Sequence, residues 1–133
     1  KSFISNKFWK YDVEDNAFSI MKDKNGVIAS IHSTATQWEH KFSIEITCEK
    51  GMLILSGILS STKSYGKEQL ILINKLKKGI VKKYYTFKKD TSWKKEIEEF
   101  ANLIKSKQKV QIGSSAQALK AMEVIENIYK SDN

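Results

Sequence analysis

The sequence predicts an α+β domain: a mostly antiparallel, open-faced sheet of six to seven strands, with two C-terminal helices packed on one face. Three observations carry this. Alternating or wholly apolar β-type runs recur from residue 3 to residue 87, and two helical stripes follow only after them. Asn25-Gly26 and Gly79 mark tight returns between such runs. At 133 residues and 41% hydrophobic side chains, the chain suits one domain, 1–133, with a core of its own.

Residues 3–11 alternate loosely and are rich in aromatic side chains (Phe3, Phe8, Trp9, Tyr11), which predicts a first strand. Asp12, Glu14 and Asp15 break it. Their spacing lacks the glycine-turned loop and distal Glu of a calcium site, so they read as a solvated turn. Residues 17–22 form a second strand with Phe18 and Ile20 on one face. Asp23-Lys24-Asn25-Gly26 is a hairpin turn, because Asn-Gly tolerates positive φ. In residues 27–36, Val27, Ala29, Ile31, Ser33 and Ala35 share a small, apolar face. Ile28, Ser30, His32, Thr34 and Thr36 share the opposite, mostly polar one.

A polar, aromatic elbow follows, Thr36-Gln37-Trp38-Glu39-His40. Beyond it Phe42, Ile44, Ile46 and Cys48 point one way, so Cys48 reads as a core thiol continuing an apolar stripe. Met52, Leu53, Ile54 and Leu55 show no alternation. Both faces of that strand want cover, which makes these four residues the candidate interface. Residues 60–67 read as a polar loop carrying Tyr65-Gly66, and residues 68–74 and 80–87 as a hairpin across residues 75–79. Asp90-Thr91-Ser92 offers caps for a helix with the stripe Trp93, Ile97, Phe100, Ala101 and Ile104. Ser114 and Gln117 form a capping box for a second helix expected to bury Leu119, Met122, Ile125, Ile128 and Tyr129.

One cysteine excludes an internal disulfide framework and fits a reducing, cytoplasmic setting. No apolar run approaches the length needed to cross a bilayer, and no signal-peptide layout opens the chain. Lys1 in place of Met leads to the expectation that the chain is a piece of something longer. The formal charge of +8 invites a nucleic-acid reading, but all 23 basic residues are Lys and they are spread along the chain. Base-edge and bidentate phosphate recognition favour Arg, so nucleic acid ranks last among the partners, and the cluster Lys75, Lys77, Lys78, Lys82 and Lys83 reads as a basic hairpin tip. There is no glycine-rich phosphate loop, no metal-ligand spacing around His32 or His40, and no nucleophile–His–Asp pattern. No catalytic, cofactor-binding or metal-binding residue is assigned.

The run from His32 through the elbow to Ile46, followed by Glu49-Lys50-Gly51-Met52-Leu53, resembles the C-terminal domain of the glucose–fructose oxidoreductase/inositol dehydrogenase (Gfo/Idh/MocA) family. Val13 to Phe18, Ser64-Tyr65-Gly66 with Glu68-Gln69-Leu70, Trp93 to Phe100, and Ala118 to Ser131 are similar to the family in the same order. The resemblance covers nearly the whole chain. It implies an NAD(P)-dependent oxidoreductase acting on a sugar, inositol or nucleotide-sugar hydroxyl, with the sheet serving the substrate side and subunit contacts in a homo-oligomer. The family's Glu-Lys-Pro motif is impossible in a chain without proline, and no Asp-x-x-x-His is present. NAD or NADP is therefore expected only with an N-terminal Rossmann domain, and the isolated chain is expected to be inactive.

The resemblance makes Thr36, Gln37, Trp38 and His40 the candidate substrate residues. Hydroxyls suit Thr, Gln and His, and an apolar sugar face suits Trp. The competing structural reading has Trp38 anchoring a strand crossover and Gln37 satisfying its backbone. The alternative function is a stand-alone, self-associating interaction module.

Overall fold

Strand-forming runs set apart by turn residues build seven strands, and two capped segments build two helices, in the computed structural model, which describes residues 1–59 and 64–132. They are β1 (Ser2–Ser5), β2 (Asn16–Lys22), β3 (Ile28–Thr34), β4 (Ser43–Cys48), β5 (Gly51–Ser56), β6 (Gln69–Leu76), β7 (Gly79–Thr86), α1 (Ser92–Ser106) and α2 (Ser115–Lys130). The class is α+β, as the sequence predicts. Every strand pairing is antiparallel, in two open sheets of order β1-β2-β3 and β4-β5-β6-β7 rather than one continuous sheet. The division follows the backbone bonds beside the elbow. Ala35 N–H donates to Asp15 O at 2.8 Å and extends the first sheet, whereas Gly57 N–H donates to Phe42 O at 3.0 Å and extends the second. By contact density the chain falls into two units, one of residues 1–37 with 107–133, the other of residues 38–106.

In the first unit the β2–β3 hairpin is built as its turn chemistry requires. Asp23 Oδ1 accepts from the Asn25 and Val27 amides at 2.8 Å, and Gly26 takes φ 88°. The expected strand over residues 3–11 ends at Ser5. Asp15 is the reason: its Oδ2 accepts from the Phe8 and Trp9 amides at 2.9 and 2.8 Å and curls the chain into a turn. Asp15 is 5% exposed, so the acidic break holds a buried anchor rather than a wholly solvated turn. Phe8 and Trp9 meet edge to face in that turn, and Trp9 Nε1 donates to Ala35 O at 2.9 Å.

Strand β1 is held to α2 by hydroxyls. Ser2, fully buried, shares hydrogen bonds with Ser19 Oγ at 2.9 Å and with Ser131 Oγ at 2.7 Å. Asp132 Oδ1 accepts from the Ile4 amide at 2.9 Å. The predicted capping box is formed: Gln117 N–H donates to Ser114 Oγ, and Ser114 N–H donates to Gln117 Oε1. The stripe it heads was expected to be buried, yet Leu119 and Met122 stand 62% and 59% exposed, and Ile128 is half-buried.

In the second unit β5 and β6 form the apolar middle of the sheet, with residues 51–56 and 69–73 all half-buried. The β6–β7 hairpin closes over Lys77-Lys78, and Gly79, at φ 121°, begins the return strand. Helix α1 begins where Asp90 accepts from the Ser92 amide and hydroxyl at 2.9 and 2.6 Å. Those bonds, the hydroxyl's above the amide's, hold the Asp90 carboxyl below its ordinary range. Its expected stripe is open too, with Trp93, Ile97, Phe100 and Ile104 all more than half exposed. Cys48 is exposed at the end of β4, an edge strand, and not in a core. Of the predicted loop over residues 60–67, residues 60–63 lie outside the described residues.

Candidate functional site

The elbow is reached from both sides by different chemistry. On the first unit's side, Thr34 Oγ1 donates to Asp15 O at 3.3 Å, lies 2.8 Å from Thr36 Oγ1, and accepts from the Thr36 amide at 3.0 Å. Two threonines and the buried Asp15 turn thus fix the end of the β3 extension. Thr36 is half-buried, and Gln37 is exposed.

On the second unit's side, Trp38 is 93% exposed. A side chain so exposed does not anchor a crossover, which removes the structural role weighed for it. His40 stacks on Tyr65, ring centres 4.9 Å apart and planes 19° apart, so residue 40 and the Tyr65-Gly66 turn form one small aromatic platform. Thr36 and Gln37 belong to one unit, Trp38 and His40 to the other.

The candidate interface residues Met52, Leu53, Ile54 and Leu55 occupy an inner strand. Their backbones pair with β4 on one side and β6 on the other, so only faces, not an edge, remain to be covered. All four are half-buried.

Sequence reasoning missed a row of rings on the first sheet. The register places Phe3 opposite Phe18 and Phe18 opposite His32, so the three share a face. Phe18 and His32 stack at 3.8 Å, and His32 Nε2 lies 3.0 Å from Asn16 Oδ1. A concavity of about 270 Å³ opens beside them, lined chiefly by Lys1, Phe3, Phe18, Ile20, Ile31 and His32. A two-residue Asn25-Gly26 loop would set Phe18 against Ser33; it is the three-residue loop, with the Asp23 amide bonded to Val27 O, that sets Phe18 against His32.

No family model, curated protein or solved structure matches the chain. The dinucleotide that the resemblance implies can be tested against the residues themselves. A pyrophosphate cradle needs a strand, a glycine-rich turn and a helix N-terminus within a parallel crossover. Here all strand pairs are antiparallel, α1 starts at an Asp-Thr-Ser cap, and α2 starts at a Gly-Ser-Ser turn with a side-chain capping box. The described residues do not fit a dinucleotide. Among them, no three His, Cys, Asp or Glu side chains cluster to hold a metal ion, and no helix is long and apolar enough to cross a membrane.

Proposed function

We propose that this chain is the substrate-side and oligomerisation domain of an NAD(P)-dependent oxidoreductase acting on a sugar, inositol or nucleotide-sugar hydroxyl. Hydride transfer would come from a dinucleotide-binding domain that this sequence does not contain, in a reducing, cytoplasmic setting suited to the single exposed thiol. The observation that carries the reading is the ordered resemblance of residues 32–46 and 49–53, with its flanking segments, to the family's C-terminal domain. The open antiparallel sheets and the two trailing helices are in keeping with it. Trp38 adds chemical support: an exposed indole suits the apolar face of a sugar.

Two measurements test this. Trp38→Ala, made in the protein that carries the dinucleotide domain, raises KM about tenfold while leaving the unfolding midpoint in place, since an exposed ring contributes little packing. An unchanged KM retires the sugar-stacking role. Titration calorimetry of the isolated chain with NAD(P) gives no heat of tight binding; tight binding would overturn the division of labour.

The second reading is a stand-alone module that self-associates through the faces of β5, favoured by half-buried apolar side chains at Met52, Leu53, Ile54 and Leu55 alike. Native mass together with the upstream coding sequence separates the two. A Rossmann domain in the same frame supports the first, and an immediate start codon supports the second.

A further inference from the structure

We propose that one face of the β6–β7 hairpin is a binding surface for single-stranded nucleic acid. Lysines are spread along the whole chain, but acids are not. Residues 69–89 hold seven Lys and no Asp or Glu, whereas the other 16 Lys are met by 15 acids elsewhere. Nearly all of the +8 charge therefore sits on one hairpin and the Lys88-Lys89 pair behind it. A lysine-rich surface kept only for solubility mixes both signs, as the rest of this chain does.

The register arranges that charge. Lys75 lies opposite Ile80, Ile73 opposite Lys82, and Ile71 opposite Tyr84, so Lys75, Ile80, Lys82 and Tyr84 share one face, with Lys77 and Lys78 at its tip. Ile80 and Tyr84 are 70% and 61% exposed. No hairpin lysine has an acidic partner among the described residues, whose ion pairs lie within α1 and α2. Lysines placed only to guard an edge strand would not need an exposed tyrosine beside them. A ring two residues from an unpaired ammonium, on an open face, supplies both parts of single-strand recognition: a platform for an unstacked base and a cation for the adjoining phosphate. The absence of Arg argues against reading base edges in a duplex. This surface does not depend on the oxidoreductase reading.

The test is the fluorescence anisotropy of a labelled oligothymidylate of about 20 nucleotides, titrated with the chain at several salt concentrations. Four phosphate contacts, from Lys75, Lys77, Lys78 and Lys82, give a log–log salt slope of about −3, or roughly a 50-fold loss of affinity between 50 and 200 mM salt. Replacing Lys77, Lys78 and Lys82 with Gln lowers that slope by about two, with the circular dichroism spectrum retained as a folding control. Tyr84→Ala weakens binding about tenfold at an unchanged slope, and Tyr84→Phe restores it. Absence of binding at 50 mM salt overturns the proposal, as does a slope indifferent to the triple replacement. Capture by anionic phosphatidylserine vesicles but not by the oligonucleotide overturns it in favour of a membrane surface. Equal affinity for a duplex overturns the stacking role.

Discussion

Residues 1–37 with 107–132 and residues 38–106 are both built on antiparallel sheets, yet what each withdraws from water differs. In the first unit the buried residues are Ser2, Asp15 and Ser19, each held by side-chain hydrogen bonds. In the second, Gly57 alone is buried among the described residues, and the sheet's middle is a half-buried slab of Met, Leu and Ile on β5 and β6. A hydroxyl or carboxylate bond is directional and fixes register by itself. An apolar run without alternation does not, because a one-residue slip exchanges one such side chain for another. The apolar slab of the second unit therefore leaves its register to features at the strand ends, such as the Gln69 Nε2–Thr86 Oγ1 bond of 3.0 Å and the backbone at Gly57, whereas the first unit carries register in buried side chains.

Gly57 is where that dependence is sharpest. It sits at φ 70°, its amide donates to Phe42 O, and a Cβ placed there would lie 2.3 Å from Lys67 O. Gly57→Ala combines a left-handed backbone with a clash against main chain, and is expected to destabilise the second unit by about 3 kcal/mol. Amide exchange is expected to speed up first in β4, β5 and β6. Full protection in those strands would show that the apolar slab sets its own register.

Asp15→Ala asks the same question of the first unit. It strips the Phe8 and Trp9 amides of their acceptor, at an expected cost of about 2 kcal/mol in urea unfolding. A change below about 0.5 kcal/mol would mean that water replaces the carboxylate without loss. Asp15→Asn, which keeps one acceptor oxygen, is expected to fall between the two.

The contrast also explains what could be read without coordinates. Turns and caps are local chemistry, so Asp23-Lys24-Asn25-Gly26, Asp90-Thr91-Ser92 and the Ser114–Gln117 box were legible, as were the alternating strands and the α+β order. The strand over residues 3–11 was misjudged because Asp15, several residues on, outbids the ladder for the Phe8 and Trp9 amides. Helical stripes announce which face is apolar, not what covers it, so the exposure of Trp93 and Leu119 was invisible. For the candidate site, the chemistry of Thr36, Gln37, Trp38 and His40 was visible as composition. The stacking of His40 on Tyr65 was not, because it joins residues 25 positions apart.

Tyr129 and Glu14 offer the finest probe of side-chain control in the first unit. The Tyr129 hydroxyl donates to Glu14 Oε1 at 2.5 Å and links the end of α2 to the loop before β2. That bond, with help from Glu14's own amide, holds the Glu14 carboxyl below its ordinary value; the same bond, with some burial and the carboxylate's charge, holds the Tyr129 phenol above its own. For Glu14 the folded value is depressed, so its stabilisation is present above the ordinary glutamate range and is lost as pH falls through the depressed value. For Tyr129 the folded value is raised, so the contribution is present below the ordinary tyrosine range and fades as pH rises through the raised value. Both groups are exposed, so the effect is the smallest of the three. Tyr129→Phe is expected to let Glu14 titrate closer to an ordinary glutamate, followed by the NMR shift of its carboxyl carbon, and to flatten both the acid and the alkaline limbs of stability. An unmoved Glu14 titration in the variant would assign its depression to its own amide alone. The link from α2 to the sheet would then rest on Ser2, Ser131 and Asp132.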